Sequence, residues 1–196
     1  MMNPKTFLFF GRSGSGKGTQ ADLLIKYLNQ TDSVHPVLYL ETGSKAREFI
    51  KEPSFSSKTT KEIMERGGLL PEFLPVWIWS NFLIENYTGQ EHVVLDGLSR
   101  RRNEASILDS AFKFYKMEKP YVFLLNVSEE WARERLLKRG RMDDNERDID
   151  ARLGWFYEVS AAIDFFKKSD YYTFIEINAE QTADKVHADI LTAIKS

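Results

Sequence analysis

Short apolar runs alternate with longer amphipathic stretches along this chain. The apolar runs have the length of β-strands and lie at residues 6–10, 37–40, 92–95, 121–126 and 172–177. The amphipathic stretches have helical spacing and lie at about residues 18–29, 74–87, 103–115, 128–139, 145–168 and 180–194, the last opening near the cap residue Asn178. Continuous apolar strands separated by helices predict an α/β fold, with helices on both faces of a five-stranded parallel sheet.

One connection is longer than the others. The segment between the second and third predicted strands exceeds what a single crossover helix requires, and Pro53, Gly67, Gly68 and Pro71 divide it. We therefore expect an inserted helical subdomain at about residues 42–75. At 196 residues the chain suits one domain. Its core would comprise residues 1–41, 76–139 and 145–196.

The composition is that of a soluble globular protein, with 42% hydrophobic and 29% charged residues. A net charge of −2 argues against bulk electrostatic binding of nucleic acid. The absence of cysteine excludes disulfides, thiolate metal sites and thiol catalysis, and the histidines are scattered, so we expect no zinc. No apolar run is long enough to span a membrane, and no secretory leader precedes the first strand. We expect a cytoplasmic monomer.

A glycine-rich turn directly follows the first predicted strand. Its ten residues, GRSGSGKGTQ, begin at Gly11. Three glycines let consecutive backbone N–H groups face an anion, Lys17 can reach terminal phosphates, and the following helix adds the positive end of its dipole. The turn matches the P-loop pattern except that Gly18 precedes the hydroxyl residue Thr19. It predicts a site for a nucleoside triphosphate.

Charged residues follow the second and third predicted strands. Asp96 ends the third strand, where P-loop proteins place a carboxylate that organises magnesium. Arg47 follows the second strand, and Arg100 lies just beyond Asp96. Two guanidinium groups suit a phosphate monoester, because each can donate two hydrogen bonds to its oxygens. Ligands collect at the carboxyl ends of parallel strands, so we expect these groups to share one site.

Arginine is concentrated in one part of the chain. Nine of the twelve arginines lie between Arg100 and Arg152, although the protein is slightly acidic. Arg135 and Arg139 lie four residues apart on a predicted helix and therefore share a face, and Arg141 follows just after its end. Such a density of positive charge is unfavourable without a bound anion. The cluster predicts further contacts to phosphate.

Motifs along the chain resemble the adenylate kinase group of nucleoside-monophosphate kinases. They are GRSGSGKGTQ, ETGSKAR, MERGGLLP, VVLDGLSR, LLKRGRMDDNE, ARLGWFYE and INAEQTADKV, in the order that the family uses, and they cover essentially the whole chain. The Lys-Gly-Thr form of the P-loop is also typical of that family. The resemblance implies a P-loop kinase fold, with a monophosphate-binding insertion at about residues 42–75 and a minimal lid at about residues 140–144.

The resemblance also implies an activity and roles for individual residues. MgATP and a nucleoside monophosphate would give two diphosphates reversibly, with AMP as the expected acceptor. Transfer would depend on Lys17, Arg100, Arg139, Arg141 and Arg152. ATP would be bound by Gly11, Ser13, Gly14, Ser15, Gly16, Lys17, Gly18, Thr19, Arg135, Arg139, Asn178 and Ala179. The monophosphate would be bound by Thr42, Gly43, Arg47, Leu69, Leu70, Gly97, Arg100, Glu104, Arg141 and Arg152. Mg²⁺ would be organised by Thr19 and Asp96, largely through water.

The chain departs from the family pattern in its lid, at Ser44 and at Glu104. Arg139-Gly140-Arg141 fuses two elements between which relatives carry several residues or a whole zinc-stabilised domain. We therefore expect a short lid that excludes water from ATP incompletely. Ser44 stands where an acid is usual, which removes one partner for magnesium-bound water. Glu104 stands where adenylate kinases carry glutamine.

Glu104 bears on the acceptor base. A glutamine accepts from adenine N6–H and donates to N1, whereas an ionised glutamate only accepts and suits guanine, whose N1–H and N2–H₂ both donate. Against this, Thr42 is the residue that adenine-directed members carry, and an acid is favoured near a helix start whatever the ligand. The sequence favours AMP and leaves a GMP-directed or broad kinase as an alternative.

Two other functions remain open from the residues. A non-catalytic ATP-binding module would keep the glycine-rich turn, but it would not need the second phosphate site that Arg47 and Arg100 indicate. The other is a small P-loop kinase acting on a metabolite hydroxyl. That function predicts a catalytic base near Asp96, and it does not predict the Thr42-Gly43 element that this chain carries.

Overall fold

The computed structural model describes residues 3–139 and 146–195, and these residues form five strands and nine helices. The strands are β1 (Thr6–Phe10), β2 (Val37–Glu41), β3 (His92–Asp96), β4 (Tyr121–Asn126) and β5 (Thr173–Asn178). The helices are α1 (Lys17–Thr31), α2 (Thr42–Phe49), α3 (Phe55–Glu65), α4 (Phe73–Asn86), α5 (Arg102–Phe114), α6 (Glu129–Arg139), α7 (Glu146–Gly154), α8 (Phe156–Lys167) and α9 (Ala183–Lys195). Among the described helices, none has both the length and the apolar character needed to cross a membrane.

The strands form one sheet in the order β2-β3-β1-β4-β5, and every neighbouring pair is parallel. This confirms the predicted α/β fold with a five-stranded parallel sheet. Successive side chains of β1 point to opposite faces: Phe7 and Phe9 pack with α1, α6, α7 and α9, while Leu8 and Phe10 pack with α4, α5 and α8. Because both faces are covered, the central positions of the inner strands are apolar, and Thr6, His92 and Asp96 lie at strand ends.

The long connection between β2 and β3 contains α2 and α3. The Ser54 side chain accepts a hydrogen bond from Ser57 N at 3.0 Å and so caps the start of α3. Ala46, Leu74 and Ile78 form a small apolar cluster that is separate from the two main ones. This cluster packs α2 against the first turns of α4. The division into a core and a binding insertion remains a prediction.

Two predicted helices differ from the structure. The predicted helix over residues 145–168 is two helices, α7 and α8, which separate at Trp155 after the weak helix former Gly154. The last helix begins at Ala183, directly after Thr182, whose Oγ1 accepts a hydrogen bond from Lys185 N at 3.4 Å. Asn178 lies in an earlier turn, where its Oδ1 accepts a hydrogen bond from Glu180 N at 3.0 Å. The expected helix start near Asn178 is therefore wrong, because Asn178 caps this turn and not the helix.

Two histidines that looked scattered in sequence meet at the amino edge of the sheet. His92 Nδ1 accepts a hydrogen bond from Lys5 N at 3.0 Å, so its proton lies on Nε2, which lies 3.1 Å from Asp32 Oδ2. His35 Nδ1 contacts the same oxygen at 2.8 Å. These hydrogen bonds hold the pKa of Asp32 well below its usual range. Because His92 Nε2 is protonated, it has no lone pair to offer a metal.

Candidate active site

The glycine-rich turn between β1 and α1 forms a cradle of backbone. Gly11, Gly14 and Gly16 have φ values of 143°, 86° and 95°, which residues with a Cβ rarely adopt. A Cβ at Gly11 would lie 2.6 Å from Leu125 O, and a Cβ at Gly14 would lie 2.6 Å from Ala132 O. The start of α1 directly after the turn adds the positive end of a helix dipole. The turn can therefore bind an anion through main-chain N–H groups.

Lys17 lies against this cradle. Its Nζ donates hydrogen bonds to Gly11 O at 3.0 Å and to Arg12 O at 2.9 Å. Burial lowers the pKa of Lys17 to about 8, although the nearby Asp96 carboxylate opposes the shift. A buried ammonium with this lowered pKa is suited to an anionic ligand, because a phosphate would stabilise its charged form.

Two carboxylates end neighbouring strands at the carboxyl edge of the sheet. Glu41 ends β2, Asp96 ends β3, and the two are register partners. Burial raises the pKa of Asp96 to about 6, with Lys17 opposing the shift. Glu41 Oε1 accepts a hydrogen bond from Arg47 Nη2 at 2.9 Å. Glu41 was missed from the sequence, although the strand-end argument applied to Asp96 would have found it.

A cavity of about 520 Å³, here called the P-loop cavity, opens over this edge. Basic side chains from α2, α6, α7 and the loop after β3 line it together with the cradle. Its lining includes the predicted residues Gly11, Ser13, Gly14, Gly16, Lys17, Gly18, Thr19, Gly43, Arg47, Asp96, Gly97, Arg100, Arg135, Arg139 and Arg152. The structure thus brings together residues predicted to contact both nucleotides.

A smaller cavity, here called the insertion cavity, adjoins the first. The predicted residues found only in its lining are Thr42, Leu69, Leu70 and Glu104. The predicted residues that line both cavities are Gly43, Arg47, Gly97, Arg100 and Arg152. Since three of the shared residues are arginines, a phosphate at the junction would be approached by guanidinium groups from separate segments.

A turn with unusual backbone geometry positions Arg100. Gly97 has a φ of 71° and the buried Ser99 a φ of 53°, a left-handed conformation that costs a non-glycine residue about 1 kcal/mol. The Arg100 guanidinium lies 5.3 Å from the centre of the Trp155 ring. Burial lowers the pKa of Arg100, while Glu104 and Asp96 raise it. Arg100 is thus held at the junction of the two cavities.

Two buried hydroxyls in this region lack partners. Ser15 Oγ and Thr42 Oγ1 make no hydrogen bond within the described part of the chain. Ser15 belongs to the cradle, and Thr42 lines the insertion cavity. An unsatisfied buried polar group costs about 1–3 kcal/mol. A ligand that satisfies these hydroxyls would recover part of that cost.

Four predicted site residues are not part of the two described cavity linings, and one of them, Ser15, belongs to the cradle. Arg141 lies outside the described residues, as does the predicted lid at residues 140–144. Asn178 and Ala179 lie at the end of β5 and line neither cavity as described. Ala179 N instead donates to Asn126 O at 2.9 Å.

Some side chains that complete the cavity walls were not predicted from the sequence. Arg12 lies 4.2 Å from the centre of the Phe156 ring, and both residues line the P-loop cavity. Asp148 lines the insertion cavity, and a Cβ at Gly67 would lie 3.2 Å from its Oδ1. Asp148 precedes Arg152 by one helical turn, a spacing that could have identified it.

Comparisons with known proteins point to a single family. The family model described as adenylate kinase matches residues 9–171. The chain is 34% identical over 187 residues to an adenylate kinase of Prochlorococcus marinus, covering 95% of this chain and 96% of that protein. It is 31% identical over 193 residues to an adenylate kinase of Phocaeicola vulgatus, covering 96% of this chain and 97% of the relative.

Proposed function

This chain belongs to the adenylate kinase family and is a phosphotransferase, and within that family we propose that it transfers the γ-phosphoryl group of ATP reversibly to AMP, giving two ADP. The observation that carries the proposal is the pair of adjoining cavities with three arginines in common. One cavity contains the P-loop and the other is bounded by the insertion. Two phosphates at their junction could be aligned for direct transfer.

The P-loop cavity is the proposed donor site. Backbone N–H groups from Gly11 to Thr19 would bind the ATP phosphates, and Ser15 Oγ would gain a partner there. Lys17 would exchange its two carbonyl acceptors for phosphate oxygens. Arg135 and Arg139 would contact the adenine and the phosphates from α6, and Asn178 and Ala179 would support the donor base through their backbone.

The insertion cavity is the proposed acceptor site. Leu69 and Leu70 would flank the base, Glu104 would contact its edge, and Thr42 Oγ1 would gain a partner. Gly43 and Gly97 would allow close approach of the acceptor. The proposed contacts to its phosphate come from Arg47, Arg100, Arg141 and Arg152.

The residues at the carboxyl edge fit a magnesium ion bound with ATP. Asp96 is 4% exposed, and burial raises its pKa to about 6, so a cation would relieve an unfavourable negative charge. Thr19 lines the same cavity, and Glu41 lies next to Asp96 in the sheet. When bound, Mg²⁺ would neutralise charge on the ATP phosphates. Thr19 and Asp96 would orient its water ligands.

The proposed reaction needs positioning and charge stabilisation more than proton transfer. Phosphoryl transfer spreads negative charge over the oxygens of the moving group, so fixed cations near its path lower the barrier. Lys17 and Arg100 are already held in the cavity walls by hydrogen bonds and ring contact. Arg100 would then need little reorganisation when the two nucleotides meet, while Lys17 would exchange its two carbonyl acceptors for phosphate oxygens.

A GMP-directed or broad kinase is a second candidate, favoured by one observation. Glu104 is buried at the wall of the insertion cavity and an ionised carboxylate accepts hydrogen bonds without donating any. The guanine edge, with N1–H and N2–H₂, matches that pattern directly.

The test is ADP formation from ATP with AMP, GMP, CMP or UMP, in the wild type and in Lys17→Met. We expect AMP to be the best acceptor and Lys17→Met to reduce the rate by about 10³ or more. Turnover with GMP alone would favour the second candidate. Absence of Lys17-dependent ADP formation with every acceptor would contradict transfer and support a non-catalytic ATP-binding module.

A further inference from the structure

Glu104 is a buried acid in a cavity proposed to receive adenine. It is 1% exposed and lies in the first turn of α5. Its Oε2 accepts a hydrogen bond from Arg100 N at 2.9 Å, and its Oε1 lies 3.5 Å from Arg101 Nη1. Oε2 is held by main chain, so the orientation of the carboxyl group is set before any ligand arrives.

The charges around Glu104 come from several elements. Arg100 and Arg101 precede α5, Glu72 lies at the start of α4, and Arg47 belongs to α2. Asp148 and Arg152 of α7 line the same cavity. Burial raises the pKa of Glu104, and Glu72 adds to the shift, while Arg101 and Arg100 oppose it.

Arg101 is engaged by other groups as well as Glu104. Its Nη1 donates to Leu70 O at 2.7 Å, and its Nε donates to Glu158 Oε2 at 2.6 Å. These shorter contacts anchor the guanidinium to the insertion and to α8. Glu158 shares the positive charge, so Arg101 compensates Glu104 only in part.

The adenine edge and an ionised carboxylate do not match. Adenine offers a donor at N6–H and an acceptor at N1, whereas the carboxylate offers only acceptors. Placed together, N1 and a carboxylate oxygen would face each other with lone pairs and no hydrogen between them. A neutral carboxyl group removes the conflict, because Oε1–H can donate to N1. Oε2 has two lone pairs and can accept from both Arg100 N and adenine N6–H.

We propose that AMP binds this protein with uptake of a proton on Glu104, so that the neutral carboxyl group recognises the adenine edge. The inference rests on the proposed acceptor site. It makes AMP affinity depend on pH, falling up to about tenfold per unit once free Glu104 is ionised. GMP binding needs no such proton, because the ionised carboxylate can accept from guanine N1–H and N2–H₂. Base selection would therefore shift towards GMP as the pH rises.

The experiment is titration calorimetry of the full-length protein with AMP and with GMP, each in two buffers of different ionisation enthalpy. Measurements between pH 7.5 and 8.5 keep the free monophosphates mostly dianionic, since their second pKa is about 6. The buffer dependence of the heat gives the protons taken up. We expect AMP to take up more protons than GMP, by up to about one. Taking the difference in proton uptake between AMP and GMP removes protonation changes at Lys17 and the arginines that both ligands cause alike.

Two variants assign the proton. Glu104→Gln supplies a permanent donor and acceptor, so it should abolish the AMP–GMP difference in proton uptake and flatten the pH dependence of AMP affinity. Glu72→Gln removes a neighbouring carboxylate that lies outside the proposed base contacts, and it should keep the difference. Circular dichroism checks that each variant is folded.

Equal proton uptake with AMP and GMP in the wild type would overturn the inference without touching the proposed transfer reaction. An uptake difference that persists in Glu104→Gln would also overturn it, because the proton would then lie elsewhere. Failure of AMP to bind at millimolar concentration would instead contradict the proposed acceptor, and this inference with it.

Discussion

At the amino edge of the sheet, the buried Asp32 accepts hydrogen bonds from His35 and His92, and its pKa lies well below the usual range. At the carboxyl edge of the same sheet, burial raises the pKa of Asp96 to about 6. Burial also lowers the pKa of Lys17 to about 8. The two edges belong to the same strands, yet hydrogen bonds favour the charged form of Asp32 at one edge, while burial disfavours the charged forms of Asp96 and Lys17 at the other.

This difference separates groups that stabilise the fold from groups available to a ligand. A buried charge with several hydrogen bonds favours the folded state, whereas a buried charge with too few destabilises it until a partner arrives. Unpartnered Ser15 and Thr42 lie on the carboxyl side as well. The carboxyl edge is therefore the part of this sheet where binding can recover free energy that folding leaves unused.

The largest effect should come from Arg100, at the junction of the two cavities. Arg100→Gln should reduce the rate of ADP formation by about 10³, because a fixed guanidinium is lost from the path of the phosphoryl group. The free energy of unfolding should change by less than about 1 kcal/mol, since burial of this cation is incompletely compensated. Initial rates and urea denaturation measure the two quantities. The exposed Arg102→Gln is the matched control, and a rate for Arg100→Gln within tenfold of it would contradict the proposed role.

A change at the amino edge should lower stability and leave activity unchanged. His92→Leu leaves Lys5 N and Asp32 Oδ2 each without one partner, and it should lower the free energy of unfolding by about 2–4 kcal/mol. The activity of the folded protein should be unchanged, because His92 lies at the far end of β3 from the cavities. In urea denaturation, the matched control His187→Leu should be near neutral, since His187 Nδ1 has no partner among the described residues. An equal loss of unfolding free energy in the two variants would contradict the stabilising role of the His92 hydrogen bonds.

The contribution of His92 should also depend on pH. Burial lowers the pKa of His92, so the folded state disfavours its protonation. Its stabilising contribution is complete above the unfolded pKa of about 6.5 and is lost as the pH falls below it. The stability difference between wild type and His92→Leu should therefore shrink in acid. A difference that grows between pH 6.5 and pH 5 would contradict this sign.

Asp96 should respond to pH in the opposite direction. Its raised pKa means that the ionised form destabilises the folded protein, so Asp96→Asn should stabilise it by about 1–2 kcal/mol at pH 7.5. The gain should shrink as the pH falls below about 6 and should disappear at about pH 3, where wild-type Asp96 is protonated in the unfolded state as well. Urea denaturation without magnesium or nucleotide measures it. A destabilised Asp96→Asn at pH 7.5 would show that the carboxyl edge is satisfied after all.

The smallest effect should come from Thr42. Thr42→Val replaces a buried hydroxyl that has no partner in the described structure, so it should raise the free energy of unfolding by about 0.5–1 kcal/mol. It should also raise the KM for the acceptor several-fold, because the proposed contact to the hydroxyl is lost. Thr60→Val is the control, because Thr60 Oγ1 donates to Ser56 O at 2.7 Å. Thermal unfolding should shift in opposite directions for the two variants. If the unfolding temperature shifts in the same direction in both variants, the Thr42 hydroxyl is not an unsatisfied group of the carboxyl edge.

The P-loop and the five strands could be predicted because their signals are local. The glycine spacing from Gly11 to Gly16 and the apolar runs each determine backbone geometry within a few residues. The break at Trp155 and the start of α9 at Ala183 could not be predicted, because they depend on which of several weak local preferences fits the surrounding packing. Glu41 ends β2 and Asp148 lies one helical turn before Arg152, so local spacing could have found both, but only the fold shows that they line the cavities.

The sequence by itself determined the class of this protein: a parallel sheet, a phosphate cradle and a set of arginines in family order. Only the tertiary structure decided which charges meet. It joined His92 to Asp32 at one edge, set Glu41 beside Asp96 at the other, and placed Glu104 in the same cavity wall as Asp148. The physical reason is that the protonation and bonding of a buried group depend on its neighbours in space, which come from distant segments.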